Sequence, residues 1–239
     1  MKRETLVFLP GMMCDERLFA PQVEAFRGQY DIVIPKLCET SIEEMARNVL
    51  SSISTQKFNL VGLSMGGIVA MEIMRQASHR ILRLALLDTN HLADASENYA
   101  NRNRQIKDIQ NGKLRDVIVT EMKPHYLAEK NMGNKALLSV LIEMAMDVGG
   151  EVFIAQSTAL RDRRSQIETL KAVHQPTLIL CGDEDALCPP ERHQQMATLI
   201  SNGQMLSIKN AGHISTLEAP EEVNQWLMKW VSVPVIHRT

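Results

Sequence analysis

Ser64 stands between Gly62 and Gly66 in the stretch LVGLSMGGIVAMEI, residues 60–73. The residues before it read as a strand and those after it as a helix, so its hydroxyl falls on a sharp strand-to-helix turn. Such a turn holds the serine in a strained backbone conformation with the hydroxyl clear of the sheet. It also crowds the positions two before and two after, where glycine fits and a side chain would clash. The following helix directs free amides and the positive end of its dipole at the hydroxyl. Gly-x-Ser-x-Gly alone is weak evidence; the flanking strand and helix make it a candidate nucleophile. A nucleophilic serine needs a base, and the base an orienting carboxylate. His213, in Asn210-Ala211-Gly212-His213, can supply the base. Asp183, Glu184 and Asp185, consecutive in CGDEDALCPP, can each supply the carboxylate, and Asp88 in Leu86-Leu87-Asp88-Thr89 is a further candidate. The other histidines, His79, His91, His125, His174, His193 and His237, have no comparable context, although His91 and His125 fall where they could line a pocket.

These side chains must be carried by elements that bring them together. Six short apolar runs read as buried parallel strands: Thr5–Leu9, Asp31–Ile34, Phe58–Leu63, Leu82–Leu87, Thr177–Cys181 and Gln204–Ile208. Helical patterns separate most of them. Ser41 and Glu44 have capping-box spacing, with Ile42, Met45, Val49 and Ile53 following on one face. Pro220 suits a first helical turn, and Val223, Trp226, Leu227, Trp230 and Val231 behind it form a core-packing stripe. Alternating strands and helices imply right-handed crossovers and a sheet covered on both faces. Ser64, the acidic loop and the His213 loop all follow strand ends on one edge, where open parallel sheets bind ligands. The connection from about 89 to 176 is too long for one crossover. It contains helical patterns near 96–110, 113–122, 134–147 and 151–161, and reads as a mostly helical insertion over one end of the sheet.

Composition narrows the function classes. The formal net charge of −2 offers no footprint for nucleic acid or an anionic membrane. No apolar stretch approaches the ~20 residues of a membrane span. Glu4 and Pro10-Gly11 bound an N-terminal run shorter than the ~7–15 apolar residues of a signal peptide, so a strand is expected there. Cys14, Cys38, Cys181 and Cys188 form no C-x-x-C pair and have no zinc-like spacing to histidine. A reduced, cytoplasmic protein with semi-buried thiols and no metal is expected.

The motifs together resemble the α/β-hydrolase superfamily, in particular its small lidded serine esterases and lactonase-like enzymes. Leu9-Pro10-Gly11-Met12-Met13, Gly62-Leu63-Ser64-Met65-Gly66-Gly67, Gly182-Asp183-Glu184-Asp185 and Gly212-His213 followed by Leu217-Glu218-Ala219-Pro220 match its landmarks in order. The resemblance implies an α/β-hydrolase fold: a mostly parallel sheet of about six strands, helices on both faces, and a helical lid inserted after the fourth of these strands. It implies a core in two parts, residues 1–91 and 166–239, with the lid at 92–165. Ser64, His213 and, by family spacing, Asp185 become the catalytic residues, with Asp88 otherwise a loop-capping carboxylate. The backbone amides of Met12 and Met65 become the oxyanion donors. Relatives often carry His-Gly where this chain has Pro10-Gly11, so hydrogen bonding in that loop must differ, and a hairpin preceding the first strand is expected to be absent. Substrate contacts are expected from Met13 and, for an anionic group, Arg161 in the charged stretch Arg161-Asp162-Arg163-Arg164. The implied activity is hydrolysis of a small to medium carboxylic ester or lactone through an acyl-enzyme, in a small hydrophobic pocket and without cofactor or metal. The serine excludes the dehalogenase and epoxide-hydrolase chemistry that uses aspartate there. The same three residues also serve lyases and C–C bond hydrolases, and an inert site retained in a ligand sensor is a further alternative.

Overall fold

The computed structural model describes residues 3–235. Met1, Lys2 and residues 236–239, which include His237 and the outer ends of both expected core segments, lie outside the described residues. Six strands, β1 (Thr5–Leu9), β2 (Asp31–Val33), β3 (Phe58–Leu63), β4 (Ile81–Leu87), β5 (Thr177–Gly182) and β6 (Gly203–Ile208), form one sheet. Their order is β2-β1-β3-β4-β5-β6 and every neighbouring pair is parallel. Strand ends differ from the sequence reading by a residue where ladder pairing decides them. Gly182 extends β5 because it pairs with Ile208, and Ile81 opens β4 opposite Phe58.

Side chains alternate along each strand, and both faces are covered. Val7, Leu9, Leu60, Leu84, Leu86 and Ile179 point to one core. There they meet Met45 and Val49 of α2 (Ile42–Ser52) and Val69 and Ile73 of α3 (Met65–Ala77). Leu6, Phe8, Val61, Leu63, Leu87 and Leu180 point to the other. There they meet Phe26 of α1 (Ala20–Phe26) together with Val223, Leu227 and Trp230. The Ser41 hydroxyl accepts from the Glu44 N–H at 3.2 Å and so caps α2.

Between β4 and β5 come α4 (Ser96–Gln110), α5 (Leu114–Asp116), α6 (Lys135–Val148), α7 (Gly150–Arg161) and α8 (Ile167–Lys171). The helix expected near 113–122 is α-helical only at its start. It widens into a π-turn over Val117–Met122 and tightens at Lys123–His125. Val117, Ile118, Val119 and Thr120 are β-branched, and Pro124 supplies no N–H, so regular helix is disfavoured here. After β5 follow α9 (Pro190–Leu199), α10 (Ser215–Glu218) and α11 (Pro220–Val231). Among the described residues no helix is long and apolar enough to cross a membrane.

Candidate active site

The C-terminal edge of the sheet concentrates backbone strain. Met13, Ser64, Asp88 and Asn210 are the non-glycine residues with positive φ among those described, and they follow β1, β3, β4 and β6. Ser64 has φ 55° and ψ −118°, between the end of β3 and the start of α3. A Cβ on Gly62 would run into the Gly66 backbone, and one on Gly66 into the carbonyl of Leu9. Both glycines are therefore required by close approach of three chain segments. The Ser64 N–H donates to Leu87 O at 2.9 Å, while its carbonyl accepts from the Thr89 hydroxyl at 2.6 Å. Thr89 is held in turn by His193, whose Nε2 accepts the Thr89 N–H at 2.9 Å. Burial pushes the His193 pKa down to about 4, which keeps that nitrogen an acceptor at neutral pH.

His213 and Asp185 complete a continuous line. His213 Nε2 lies 2.8 Å from Ser64 Oγ, and His213 Nδ1 lies 2.9 Å from Asp185 Oδ2. The other carboxylate oxygen of Asp185 accepts from the N–H groups of Leu187 and Cys188, each at 2.9 Å. Asp185 is thus fixed at both ends, and its geometry selects it over Asp183 and Glu184. The imidazole packs edge-on against Tyr126, with ring centroids 5.3 Å apart. Burial disfavours the imidazolium, but the charge and hydrogen bond of Asp185 outweigh it and raise the His213 pKa above its ordinary value. Asp88 does not touch His213. Its Oδ1 accepts from Gly182 N at 3.0 Å, and its Oδ2 from the Ser215 N–H and hydroxyl at 3.2 and 2.6 Å. It ties the end of β5 to α10. Burial and the neighbouring Asp185 charge push its pKa up to about 7.

Among the described residues the Met12 and Met65 N–H groups donate to no protein acceptor, and both residues line the cavity that contains Ser64. They are available to a developing oxyanion. The loop carrying Met12 is fixed by a residue that sequence reasoning did not single out. Gln156 of α7 accepts the Met13 N–H at 2.9 Å and donates to Leu37 O at 2.7 Å. Lys123, fully buried with a lowered pKa because of that burial, donates to Met13 O at 3.4 Å and lies 4.3 Å from the Tyr126 ring centroid. Gln156, His193 and Lys123 are marked by burial of a polar side chain and by hydrogen bonds to residues distant in sequence, neither of which shows in the local residue pattern.

Two expected substrate contacts lie elsewhere. The Met13 side chain is wholly buried in the hydrophobic core, because its left-handed backbone turns it away from the cavity. Arg161 is absent from the cavity wall: it donates to Asp162 at 2.7–2.8 Å and to Asn103 at 2.7 Å. His91 and His125 do not line the cavity either. The cavity measures roughly 320 Å³ and is mixed rather than purely hydrophobic: Met12, Met65, Ile68 and Leu160 face Asp94, Arg102 and Arg163. Among the described residues, ligand atoms of Asp185, Cys188 and His213 lie within 4.8 Å of one another. Burial and Asp185 raise the Cys188 thiol pKa well above its usual value, so it stays a neutral thiol. The Asp185 and His213 atoms are committed to each other, so the trio is a poor metal cage.

A family model described as the alpha/beta hydrolase fold matches residues 28–220. An esterase from Thermogutta terrifontis is 28% identical over 95% of this chain and 89% of its own, with a TM-score of 0.88. The uncharacterized hydrolase YugF of Bacillus subtilis is 23% identical, spanning 96% of this chain and 90% of that protein. The 3-oxoadipate enol-lactonase 1 of Acinetobacter baylyi is 21% identical, spanning 92% and 85%.

Proposed function

The chain belongs to the α/β-hydrolase family, and from that membership and the line Ser64–His213–Asp185 we propose that it hydrolyses a carboxylic ester or lactone of small to medium size. The observation that carries this is the 2.8 Å contact of His213 Nε2 with Ser64 Oγ, continued at 2.9 Å to Asp185. Similarity to an esterase and to an enol-lactonase supports the same substrate class.

His213 takes the Ser64 proton as Oγ attacks the acyl carbonyl. Asp185 keeps the proton of His213 on Nδ1, leaving Nε2 free to accept, and stabilises the imidazolium that forms. The Met12 and Met65 amides hold the oxyanion; one such donor is worth about 2.7–4 kcal/mol of transition-state stabilisation. His213 then protonates the leaving group, water attacks the acyl-enzyme with His213 again as base, and Ser64 is released. Residues 92–165 act as the lid, excluding water and shaping the acyl side of the cavity, over a core made of residues 1–91 and 166–239.

A panel of nitrophenyl esters, thioesters and lactones, run on wild type and Ser64→Ala, tests the proposal. Wild type should turn over at least one class and be labelled by a fluorophosphonate. Ser64→Ala should lose both, with kcat down by about 10⁴ or more. Labelling without turnover of any acyl substrate would move the chemistry to a lyase or C–C bond hydrolase. Absence of labelling would remove Ser64 from the mechanism.

A further inference from the structure

The polar part of the Ser64 cavity is built around one buried carboxylate. Asp94, its side chain 2% exposed, accepts from Arg102 Nε at 2.5 Å and from Asn98 Nδ2 at 3.1 Å, and pairs with Arg163 Nη2 at 3.2 Å. Arg163 is engaged through every one of its nitrogens, since Nε and Nη1 also donate to the carbonyls of Leu92 and Leu160 at 2.9 Å. Arg102 differs. It is oriented by Asp94 through Nε alone, and among the described residues neither of its terminal nitrogens has a protein acceptor. Glu121 also lines the cavity, but Arg104 and Gln105 occupy both of its oxygens. Two arginines therefore share one aspartate, and the surplus positive charge sits on a guanidinium whose four terminal N–H bonds are free. Its side chain is 19% exposed and lines the same cavity as Ser64 and His213.

A partly desolvated, pre-oriented guanidinium edge matches a carboxylate in shape and charge. We propose that Arg102 holds a carboxylate carried by the substrate, so that the ester or lactone cleaved at Ser64 is anionic, with Asp94 positioning the guanidinium. This rests on the serine-hydrolase reading above and narrows its substrate class. It also explains why a chain of this family places charge in a cavity of only roughly 320 Å³, where a neutral acyl chain would call for aliphatic walls.

The test uses two esters of equal length and leaving group, 4-nitrophenyl valerate and mono-4-nitrophenyl glutarate. Wild type should prefer the glutarate ester. Arg102→Gln should lower the anionic-to-neutral ratio of kcat/KM by about 10- to 100-fold, mostly through KM, because a carboxylate remote from the reacting atoms is bound alike in ground and transition states. Arg102→Lys should recover part of the loss. Free glutarate should compete with the valerate ester in wild type, its inhibition constant rising at least about tenfold in Arg102→Gln. A ratio within twofold of wild type in Arg102→Gln, with valerate turnover intact, would overturn the proposal and leave the hydrolase reading standing. If instead neither ester is cleaved and Ser64 is not labelled, the hydrolase reading fails by itself. Thermal stabilisation by glutarate, expected in wild type and lost in Arg102→Gln, then decides whether the anion site exists, and equal stabilisation of both proteins would remove it.

Discussion

Asp185 and Asp88 are two buried carboxylates whose charges both act on the His213 imidazole, yet only Asp185 touches it. Asp185→Asn presents an amide to Nδ1, favours the wrong tautomer and should cost about 10⁴ in kcat. Asp88→Asn should cost far less in kcat and show itself mainly in melting temperature, since Asp88 serves Gly182 and Ser215; steady-state kinetics beside a thermal melt separates the two. The pH profile follows from the raised His213 pKa. His213 must be neutral to accept a proton, so kcat/KM should fall as pH drops through that pKa, placing the acid limb above the ordinary value of ~6.5. In Asp185→Asn the larger raising charge is gone and only that of Asp88 is left against burial, which favours the neutral ring; the limb of the residual activity should move to lower pH. Ser64 and His213 were legible from spacing and neighbours, because the constraints that place them are local: a turn needing glycines, and a loop at a strand end. The choice among Asp183, Glu184 and Asp185 was not local. It depends on the Leu187 and Cys188 amides turning back onto one carboxylate, and the residue pattern alone left it open.

At the scale of elements, the strands were readable because burial on both faces makes each an unbroken apolar run. Their exact ends were not, being set by partners in the ladder such as Ile208 for Gly182. Regular helix was also readable where periodicity held, as in α4. It misled near 113–122, where β-branched residues and Pro124 loosen the winding despite apolar spacing. The loop after β1 depends on an element distant in sequence. Gln156 of α7 reaches across 143 residues to the Met13 amide. Gln156→Leu should leave a buried N–H unpaired, destabilise by about 1–3 kcal/mol in denaturant melts, and lower kcat more than it raises KM, because the Met12 amide beside it loses its fixed position. Unchanged kcat and KM, with only stability reduced, would show that the loop holds its shape without α7.

For the molecule as a whole, the helices between β4 and β5 are stitched to the core at the site itself. The His213 N–H donates to Tyr126 O at 2.8 Å. Glu218 accepts from Ala128 N at 2.8 Å and Asn131 Nδ2 at 2.9 Å on one side, and from Gly212 N at 2.7 Å on the other. A Cβ on Gly212 would strike the backbone of Tyr126 and Ala128, so the two segments touch main chain to main chain. Glu218→Ala should therefore lower stability by about 1–3 kcal/mol and depress kcat on every substrate alike, a pattern that thermal melts and the ester panel distinguish from a pocket defect. The contact between Gly212-His213 and Tyr126-Leu127-Ala128 has a larger consequence. Trimming this chain to its sheet and flanking helices would not yield a miniature enzyme, because the base would be cut from its own tether. Ser64 is already part-exposed to the cavity, so what this main-chain seam guards is the register of the imidazole, and loosening it would cost the geometry of the line before it changed access to the hydroxyl.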